Sequence, residues 1–508
     1  MASIFRLAKN TLYNISAYVV SSLVSLVALP FMLHAYGKSV YGVFMLASSL
    51  VGIIGLLDFG LTIILIKEVA QATTGDRARH LIRFGALCFS ILGVACALIL
   101  WVISAQPALF KSLTPVEYGL LKDILLVHAV TQLIIWPTKM GNIILSGKQR
   151  YDAVSLANVI TAVGTSAMIP LALFLKRGPL FLTAAMMAVT AATSLALFGY
   201  ALVVQRREGG HEERTPWPPG LGKRVFRIAF PVFVAQLAAF LMLQQSDRLV
   251  LGIFLGAGAI ALYEVAAKFG SLMTQAVSLL VSAVPPFVAQ MEVTADKKTT
   301  ERFFLRGSRY LSCLLVPIHL VLIVTAPEIV RLWIGNGYSA SILPARLLLF
   351  ATMLLPLHYL ADSILVARDL YKKWMPYAIF TAVLNVALSL VLVKPLGISG
   401  VALGTLISYF VDTSLYIVIT SRTIGYAISS WVKRVVLPAA VTATSAALLV
   451  GLIDWCVQPK NLIVLVCYIG VALIAGYAVA YFLIFKKQER QSIIAFARNL
   501  LPKAKTHR

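Results

Sequence analysis

The chain has 508 residues, of which 60% are hydrophobic and only 13% are charged, and its formal net charge is +24. Soluble domains carry about 25% charged residues, so this composition excludes an ordinary water-soluble fold and indicates lipid as the surrounding solvent. The basic residues stand in short segments between apolar runs, which favours a topological role for them over a nucleic-acid partner.

Apolar runs long enough to cross a bilayer, roughly 20 residues each, recur along the whole chain. We therefore predict an all-α integral membrane protein of about fourteen transmembrane helices. Two sections, around 119–142 and 340–366, can each be divided differently. The predicted spans are 12–36, 40–66, 81–104, 119–142, 153–175, 179–204, 225–250, 259–286, 308–326, 340–366, 376–393, 398–420, 432–455 and 461–485.

The distribution of basic residues tests this map. With the N-terminus in the cytoplasm, 32 of the 44 Lys and Arg residues fall in or beside cytoplasmic segments, seven fall in the opposite loops and five fall within or at the ends of spans. Cytoplasmic loops of membrane proteins carry such an excess. The bias predicts that both termini are cytoplasmic.

The longest polar segment, 205–223, is dense in glycine and proline and is typical of a linker. It separates a predicted N-lobe of six helices, 1–204, from a predicted C-lobe of six helices, 224–423. Two further helices, 424–485, and a basic cytoplasmic tail, 486–508, follow. Similar halves on either side of a linker are a common transporter design.

The eighth predicted helix carries a polar stripe. Six polar residues recur at intervals of three or four, which places them on one helical face: Glu264, Lys268, Ser271, Gln275, Ser278 and Ser282. A charge at mid-bilayer costs about 2.5–3.5 kcal/mol, so such a stripe predicts a polar cavity beside the helix. The alternative is a pair formed by Glu264 with Lys268, and serines that only allow close helix packing.

Other polar residues lie inside predicted spans. In the seventh helix, Gln236, Gln244 and Arg248 share a face and Asp247 adjoins them, so these charges can meet Glu264 and Lys268 near the outer mouth. An exposed helix end is the alternative. In the first half, Asp58 and Lys139 lie at similar depth and can pair, either structurally or as a gate. Asp362 and Asp412 add buried carboxylates.

Motifs of other functional classes are missing from the sequence. It contains no P-loop, HExxH or paired acidic motif, and its five cysteines form no CxxC pair. The predicted outer loops are short, which argues against a membrane glycosyltransferase or polymerase. We therefore expect a transporter that is not an enzyme and holds no cofactor or metal.

Four segments resemble polysaccharide flippases (the Wzx or O-antigen translocase type) of the multidrug/oligosaccharidyl-lipid/polysaccharide exporter superfamily. The resemblance lies in their order and spacing over residues 1–423, and the two extra C-terminal helices agree with the flippase branch. The segments are GLLDFGL at 55–61, with Lys67 and Glu68 after it, GKQRYD at 147–152, QSDRLVLGIFLG at 245–256, running on to Leu262 and Tyr263, and GISGVALGT at 397–405.

This resemblance implies two six-helix lobes around a central cavity. It also implies a substrate, an undecaprenyl-pyrophosphate-linked oligosaccharide moved from the cytoplasmic to the outer leaflet of a bacterial inner membrane. The cations expected to contact the pyrophosphate are Lys139, Arg248 and Lys268. The residues expected to line the cavity, or to couple transport to H⁺ or Na⁺, are Asp58, Asp247, Glu264, Ser271, Gln275, Gln244, Asp362 and Asp412.

The partners expected for such a protein are membrane lipid, a polysaccharide polymerase and chain-length proteins, with no nucleic acid. An ion-coupled multidrug exporter is the alternative function. A drug exporter of cations favours acidic groups and aromatics in its cavity, and the mixture of Lys268 with Glu264 in the stripe argues against it.

Overall fold

A computed structural model describes residues 2–71, 75–208, 220–242, 245–281, 297–367, 371–484, 487 and 489–491. Every regular element in these ranges is a helix, as the composition predicts. The chain forms two compact units. The first comprises Met1–Lys268 with Ala378–Thr405, and the second comprises Phe269–Tyr377 with Leu406–Arg508.

The first unit contains nine helices or parts of helices from the N-terminal half of the described chain. They are α1 (Ala2–Gly55), α2 (Leu61–Ala70), α3 (Gly75–Ser104), α4 (Pro115–Gly147), α5 (Tyr151–Phe174), α6 (Pro179–Glu208), α7 (Leu221–Met242), α8 (Gln245–Phe254) and the first half of α9 (Ala257–Val281). Short 3-10 turns, Leu56–Asp58 and Pro107–Phe110, lie before α2 and α4.

The second unit begins within α9. Its helices are α10 (Lys297–Val324), α11 (Ala326–Trp333), α12 (Ile342–Met353), α13 (Leu355–Ala367), parts of α14 (Tyr371–Thr420), α15 (Ile428–Trp431), α16 (Leu437–Cys456) and α17 (Leu462–Val479). A 3-10 turn, Asn336–Ser341, precedes α12, and π-helical turns occupy Ser421–Gly425, Val432–Val436 and Ala480–Ile484.

Ten helices among the described residues are long and apolar enough to cross a membrane. Two of them, Val19–Asp58 and Trp374–Gly425, have 40 and 52 residues. At 1.5 Å per residue these lengths are about 60 and 78 Å, twice the thickness of a bilayer core or more. Each is broken by a glycine with positive φ, Gly37 or Gly397, so each is long enough for two crossings joined at that glycine. The count of fourteen stays a prediction.

One predicted helix is interrupted. The predicted span 40–66 is broken because Phe59 and Gly60 both adopt left-handed backbone angles, with φ of 48° and 74°. The predicted span 225–250 is described in two parts, α7 up to Met242 and α8 from Gln245, on either side of two residues outside the described ranges. The predicted shared face of Gln236, Gln244 and Arg248 stays a prediction.

The predicted section 340–366 is likewise divided, into α12 and α13, a division that the sequence left open. The predicted linker lies mostly outside the described residues, as do Ser282 and most of the basic tail. The division into an N-lobe and a C-lobe at that linker stays a prediction.

The C-terminal helices α16 and α17 are part of the second unit's core. Small residues such as Ala446 and Ala472 let them approach each other and the end of α10 at Val321. A second cluster joins Cys313 and Val316 of α10 to the start of α16. These contacts bury apolar surface and fix the position of α10, which is central to the charged pocket described below.

Candidate functional site

The corner between α8 and α9 brings three charged side chains of the first unit together, Asp247, Arg248 and Glu264. The chain turns at Gly256, whose φ of +85° disfavours residues with a side chain, and the N–H groups of Leu255 and Gly256 both donate to the carbonyl of Leu251. The α9 backbone then packs tightly on α1, because a Cβ on Gly42 would lie only 1.8 Å from the carbonyl oxygen of Ala257. The corner therefore has one defined geometry.

Arg248 of α8 and Glu264 of α9 form an ion pair across this corner. The guanidinium donates two parallel hydrogen bonds, Nε to Oε1 and Nη2 to Oε2, the second at 3.0 Å. The side chains are only 16% and 9% exposed. A bidentate pair of this kind is the geometry in which a buried arginine best compensates a carboxylate. The structure therefore brings Arg248 and Glu264 together as predicted, while their position near the outer mouth stays a prediction.

The neighbouring carboxylate, Asp247, has a different environment. It is 1% exposed, and within the described part of the chain the hydrogen bonds that it accepts from side chains come from hydroxyl groups. Tyr263 and Thr405 donate to Oδ2, the latter at 3.2 Å, and Ser389 donates to Oδ1 at 3.3 Å. Ser389 and Thr405 reach this position from the segment of α14 that belongs to the first unit.

Asn385 extends this network and has one hydrogen-bond acceptor that the network does not use. Its Nδ2 donates to Thr405 Oγ1 at 3.2 Å, while its Oδ1 is buried with no hydrogen-bond partner among the described residues. A carboxylate, two or three hydroxyl oxygens and a spare amide oxygen are the ligands that hard cations take. These residues can hold a monovalent cation, and the Asp247 carboxylate can equally hold a proton.

Lys268 lies one turn beyond Glu264 on α9. Its Nζ donates to Ser25 Oγ on α1 at 2.6 Å. The stripe continues with Ser271 and Gln275, both half-buried, and with Ser278, whose hydroxyl lies 3.1 Å from that of Tyr359 on α13. The predicted alignment on one helix is confirmed from Glu264 to Ser278.

Asp58 and Lys139 interact electrostatically but form no direct ion pair, so the predicted pairing is not seen as a contact. Asp58 Oδ1 accepts from the backbone N–H of Thr62 at 3.0 Å, and so caps the start of α2 at the helix break. Lys139 Nζ lies 3.7 Å from the centroid of the Trp136 ring, a cation–π contact. The structure describes both side chains and shows no ion pair between them.

Three other predicted residues are not seen at this corner in the described part of the chain. Gln244 and the side chain of Asp362 lie outside the described residues. Asp412, on the part of α14 in the second unit, is 8% exposed. Whether any of these residues contacts substrate stays a prediction.

Ser389 and Asn385 were not among the residues predicted from the sequence to line the site. They stand four residues apart within an apolar run, so they share a face of α14. That spacing is a signal of a polar face. Nothing in the sequence links that face to Asp247, which is 142 positions from Ser389.

A family of polysaccharide biosynthesis proteins matches the chain over residues 7–292, which include α8, α9 and the Arg248–Glu264 pair. The chain belongs to this family. A protein of Shigella flexneri named a candidate O-antigen transporter is 21% identical to it over 338 residues, which cover 66% of this chain and 78% of that protein.

Solved structures share the fold. The lipid II flippase MurJ in an inward closed conformation superposes with a TM-score of 0.70 at 14% identity, over 96% of this chain and 99% of that one. An inward-facing multidrug resistance transporter of the MATE family gives a TM-score of 0.65 at 16% identity, over 80% and 94%. The chain is thus a multi-pass membrane protein with a transporter fold, in a family of polysaccharide biosynthesis.

Proposed function

We propose that the protein is a flippase that moves an undecaprenyl-pyrophosphate-linked oligosaccharide from the cytoplasmic to the outer leaflet of a bacterial inner membrane. The observation that carries the proposal is the group of buried charges at the α8–α9 corner, Arg248, Glu264 and Lys268, in a member of a polysaccharide biosynthesis family. Intramembrane charges are costly and mark substrate or ion pathways.

The chemistry of the substrate explains the need for these groups. A pyrophosphate dianion and a hydrated glycan cannot cross hydrocarbon unaided, whereas the lipid tail can remain in the bilayer. Lys268 contributes an ammonium group held by a neutral hydroxyl, Ser25. Arg248 is compensated by Glu264, so an anion that contacts Arg248 must compete with that carboxylate.

We propose that a cation gradient supplies the energy for transport and that the cation binds at Asp247. A carboxylate surrounded by hydroxyl donors, with the amide oxygen of Asn385 beside it, provides a site for Na⁺ or H⁺. A cation that binds this site in one conformation only shifts the equilibrium between conformations by its differential affinity. Transport of the lipid-linked glycan is thereby coupled to the cation gradient.

The test is glycan export in cells that lack the gene and carry Lys268→Ala or the wild-type protein. The substitution is expected to lower export at least about tenfold, since a charge-assisted contact to substrate contributes about 1.5–3 kcal/mol. Lys122→Ala is the control, because Lys122 is exposed near the start of α4. Equal export by Lys268→Ala at equal membrane abundance contradicts the role of this cation.

A multidrug exporter is the second candidate, because the fold is also that of MATE transporters. It predicts that overexpression raises resistance to cationic drugs, with no effect on surface glycan. We further propose that the chain is a transporter and not an enzyme. Polymerisation of glycan by the purified protein would contradict this part of the proposal.

A further inference from the structure

The second unit contains a group of arginines that the proposed transport mechanism does not use. Arg302, Arg306 and Arg309 follow one another on α10 at spacings of four and three, so they lie on one face of its polar N-terminal half. Arg434, in the π-helical turn before α16, joins them around a cavity of 430 Å³. We refer to these four residues as the arginine pocket.

One carboxylate lines the same cavity. Glu489, from the segment after α17, forms an ion pair with Arg309, and its Oε1 accepts a hydrogen bond from Tyr310 at 3.2 Å. The side chains of Arg309 and Glu489 are 14% and 13% exposed. Glu489 thus contacts the less exposed end of the pocket and is held to α10 through Arg309 and Tyr310.

Charge balance in the arginine pocket is incomplete. Among the lining residues that the structure describes, four guanidinium groups face a single carboxylate, which leaves three positive charges in excess. Like charges one turn apart on a helix destabilise it. Arg302, Arg306 and Arg434 are exposed, so solvent reaches them and an external anion can as well. A topological role accounts for basic residues in these segments, and the convergence of four guanidinium groups on one cavity in addition provides a place where an anion can bind.

We propose that the arginine pocket is a binding site for a phosphate group, and that Glu489 is an internal competitor for it. Guanidinium forks match phosphate oxygens in bidentate geometry, and convergence of several arginines is typical of phosphate recognition. The volume of 430 Å³ exceeds that of one phosphate group, so a larger phosphorylated molecule also fits. Binding of phosphate at Arg309 releases Glu489 from its ion pair with that arginine.

The site is separate from the α8–α9 corner. All of its residues belong to the second unit, whereas Asp247, Arg248 and Glu264 belong to the first. The proposal therefore does not depend on the identity of the transported molecule. The phosphate can come from a lipid headgroup or from a free phosphate compound, and the experiment distinguishes these sources.

The experiment measures binding to the full-length protein in neutral detergent at fixed ionic strength. One arm titrates inorganic pyrophosphate by calorimetry. The other adds phosphatidylglycerol to the mixed micelles, with phosphatidylcholine as the uncharged reference, and follows the thermal unfolding midpoint, which rises when a ligand binds the native state. The variants are Arg302→Gln with Arg306→Gln, and Glu489→Gln, with Arg177→Gln as an exposed control in the first unit.

The double arginine variant is expected to weaken binding at least about tenfold, since each lost charge-assisted contact is worth about 1.5–3 kcal/mol. Because both side chains are exposed, the fold should tolerate their loss. Glu489→Gln is expected to strengthen binding, because the competing charge is removed, and Arg177→Gln to leave it unchanged. Binding of pyrophosphate identifies a soluble source, and binding of phosphatidylglycerol alone identifies a headgroup.

Two results overturn the proposal. One is that neither ligand binds the wild-type protein. The other is binding that the double arginine variant and the Arg177→Gln control alter equally, which would reflect net charge only. A fall in affinity on Glu489→Gln would show that the carboxylate is a structural partner of Arg309 and not a competitor.

Discussion

The α8–α9 corner and the arginine pocket balance their charges in different ways. In the first, Arg248 has a carboxylate partner, Asp247 is surrounded by hydroxyl donors, and the groups are nearly inaccessible to solvent. In the second, one carboxylate serves four arginines, three of which are exposed. Buried charges need compensating groups within the chain, whereas exposed charges stay available to bind a ligand. This difference indicates which charges tolerate substitution.

The largest effect is expected from breaking the buried pair on one side only. Arg248→Met removes the ion-pair partner of the Glu264 carboxylate, whose side chain is only 9% exposed. We expect a loss of stability of about 3–5 kcal/mol, as for other buried pairs. The double variant with Glu264→Leu should recover most of it, since an apolar pair needs no compensation.

Chemical unfolding in detergent measures both variants of this pair. The matched single change in the pocket, Arg306→Met, is expected to alter stability by less than about 1 kcal/mol. If Arg248→Met is equally mild, the contrast between the two regions fails.

A backbone contact provides the next test of the corner. Gly42→Ala places a methyl group against the carbonyl oxygen of Ala257, where an ideal Cβ has only 1.8 Å. We expect the free energy of unfolding to fall by about 1–3 kcal/mol or more, because the backbone must move. Gly199→Ala, where a Cβ meets nothing within 4 Å, is the control. Equal unfolding midpoints for the two variants would show that the corner is not tightly packed.

Removing the charge of Asp247 tests the corner's function with little change of shape. Asp247→Asn keeps the side-chain volume but cannot bind a cation as strongly. We expect glycan export to fall at least about tenfold, equivalent to about 1.4 kcal/mol, and to lose its dependence on the Na⁺ or H⁺ gradient. The measurement is export in cells with the gradients varied separately. Export that remains gradient-dependent in this variant would exclude Asp247 as the coupling group.

The smallest effect concerns a half-buried acidic group outside the candidate spans. Burial raises the pKa of Glu328 on α11 above its ordinary value; Asp454 acts in the same direction, and Arg331 and Arg346 oppose it. Because the ionised form is disfavoured in the fold, the contribution of Glu328 to stability is greatest below its unfolded pKa, roughly 4.3. It is lost as the pH rises through the higher folded pKa.

Thermal unfolding between about pH 4 and 7 measures this contribution, which for a half-exposed group is expected to be a few tenths of a kcal/mol. Glu328→Gln should flatten the profile in that window. Glu301→Gln, near the start of α10, is the control. An unchanged slope in Glu328→Gln would assign the pH dependence to other groups.

Helix identity and the polar face of α9 could be predicted from the sequence because both depend on local spacing. Residues Glu264 to Ser278 repeat every three or four positions, and that period determines a face whatever surrounds the helix. The meeting of Arg248 with Glu264 followed from a short turn between neighbouring helices. The break at Phe59 was missed, because its positive φ depends on tertiary context and a single following glycine does not require it.

The partners of Asp247 could not be predicted for a related reason. Thr405 is 158 positions away, and the period of a helix says nothing about which distant helix faces it. Lys139 shows the same limit, since its position in α4 suggested a carboxylate and the structure provides the Trp136 ring instead. Composition and spacing identify which side chains need compensation, and only packing determines what provides it.

Two contacts at the corner have the same sequence separation. Asp247 with Tyr263 and Arg248 with Glu264 both join positions sixteen apart. The length of the segment that separates the paired residues therefore determines both contacts. Gaining or losing one residue in it would misalign both at once. Among homologues we expect this interval to keep its length even where its side chains vary, and a peptide tag inserted there should abolish folding.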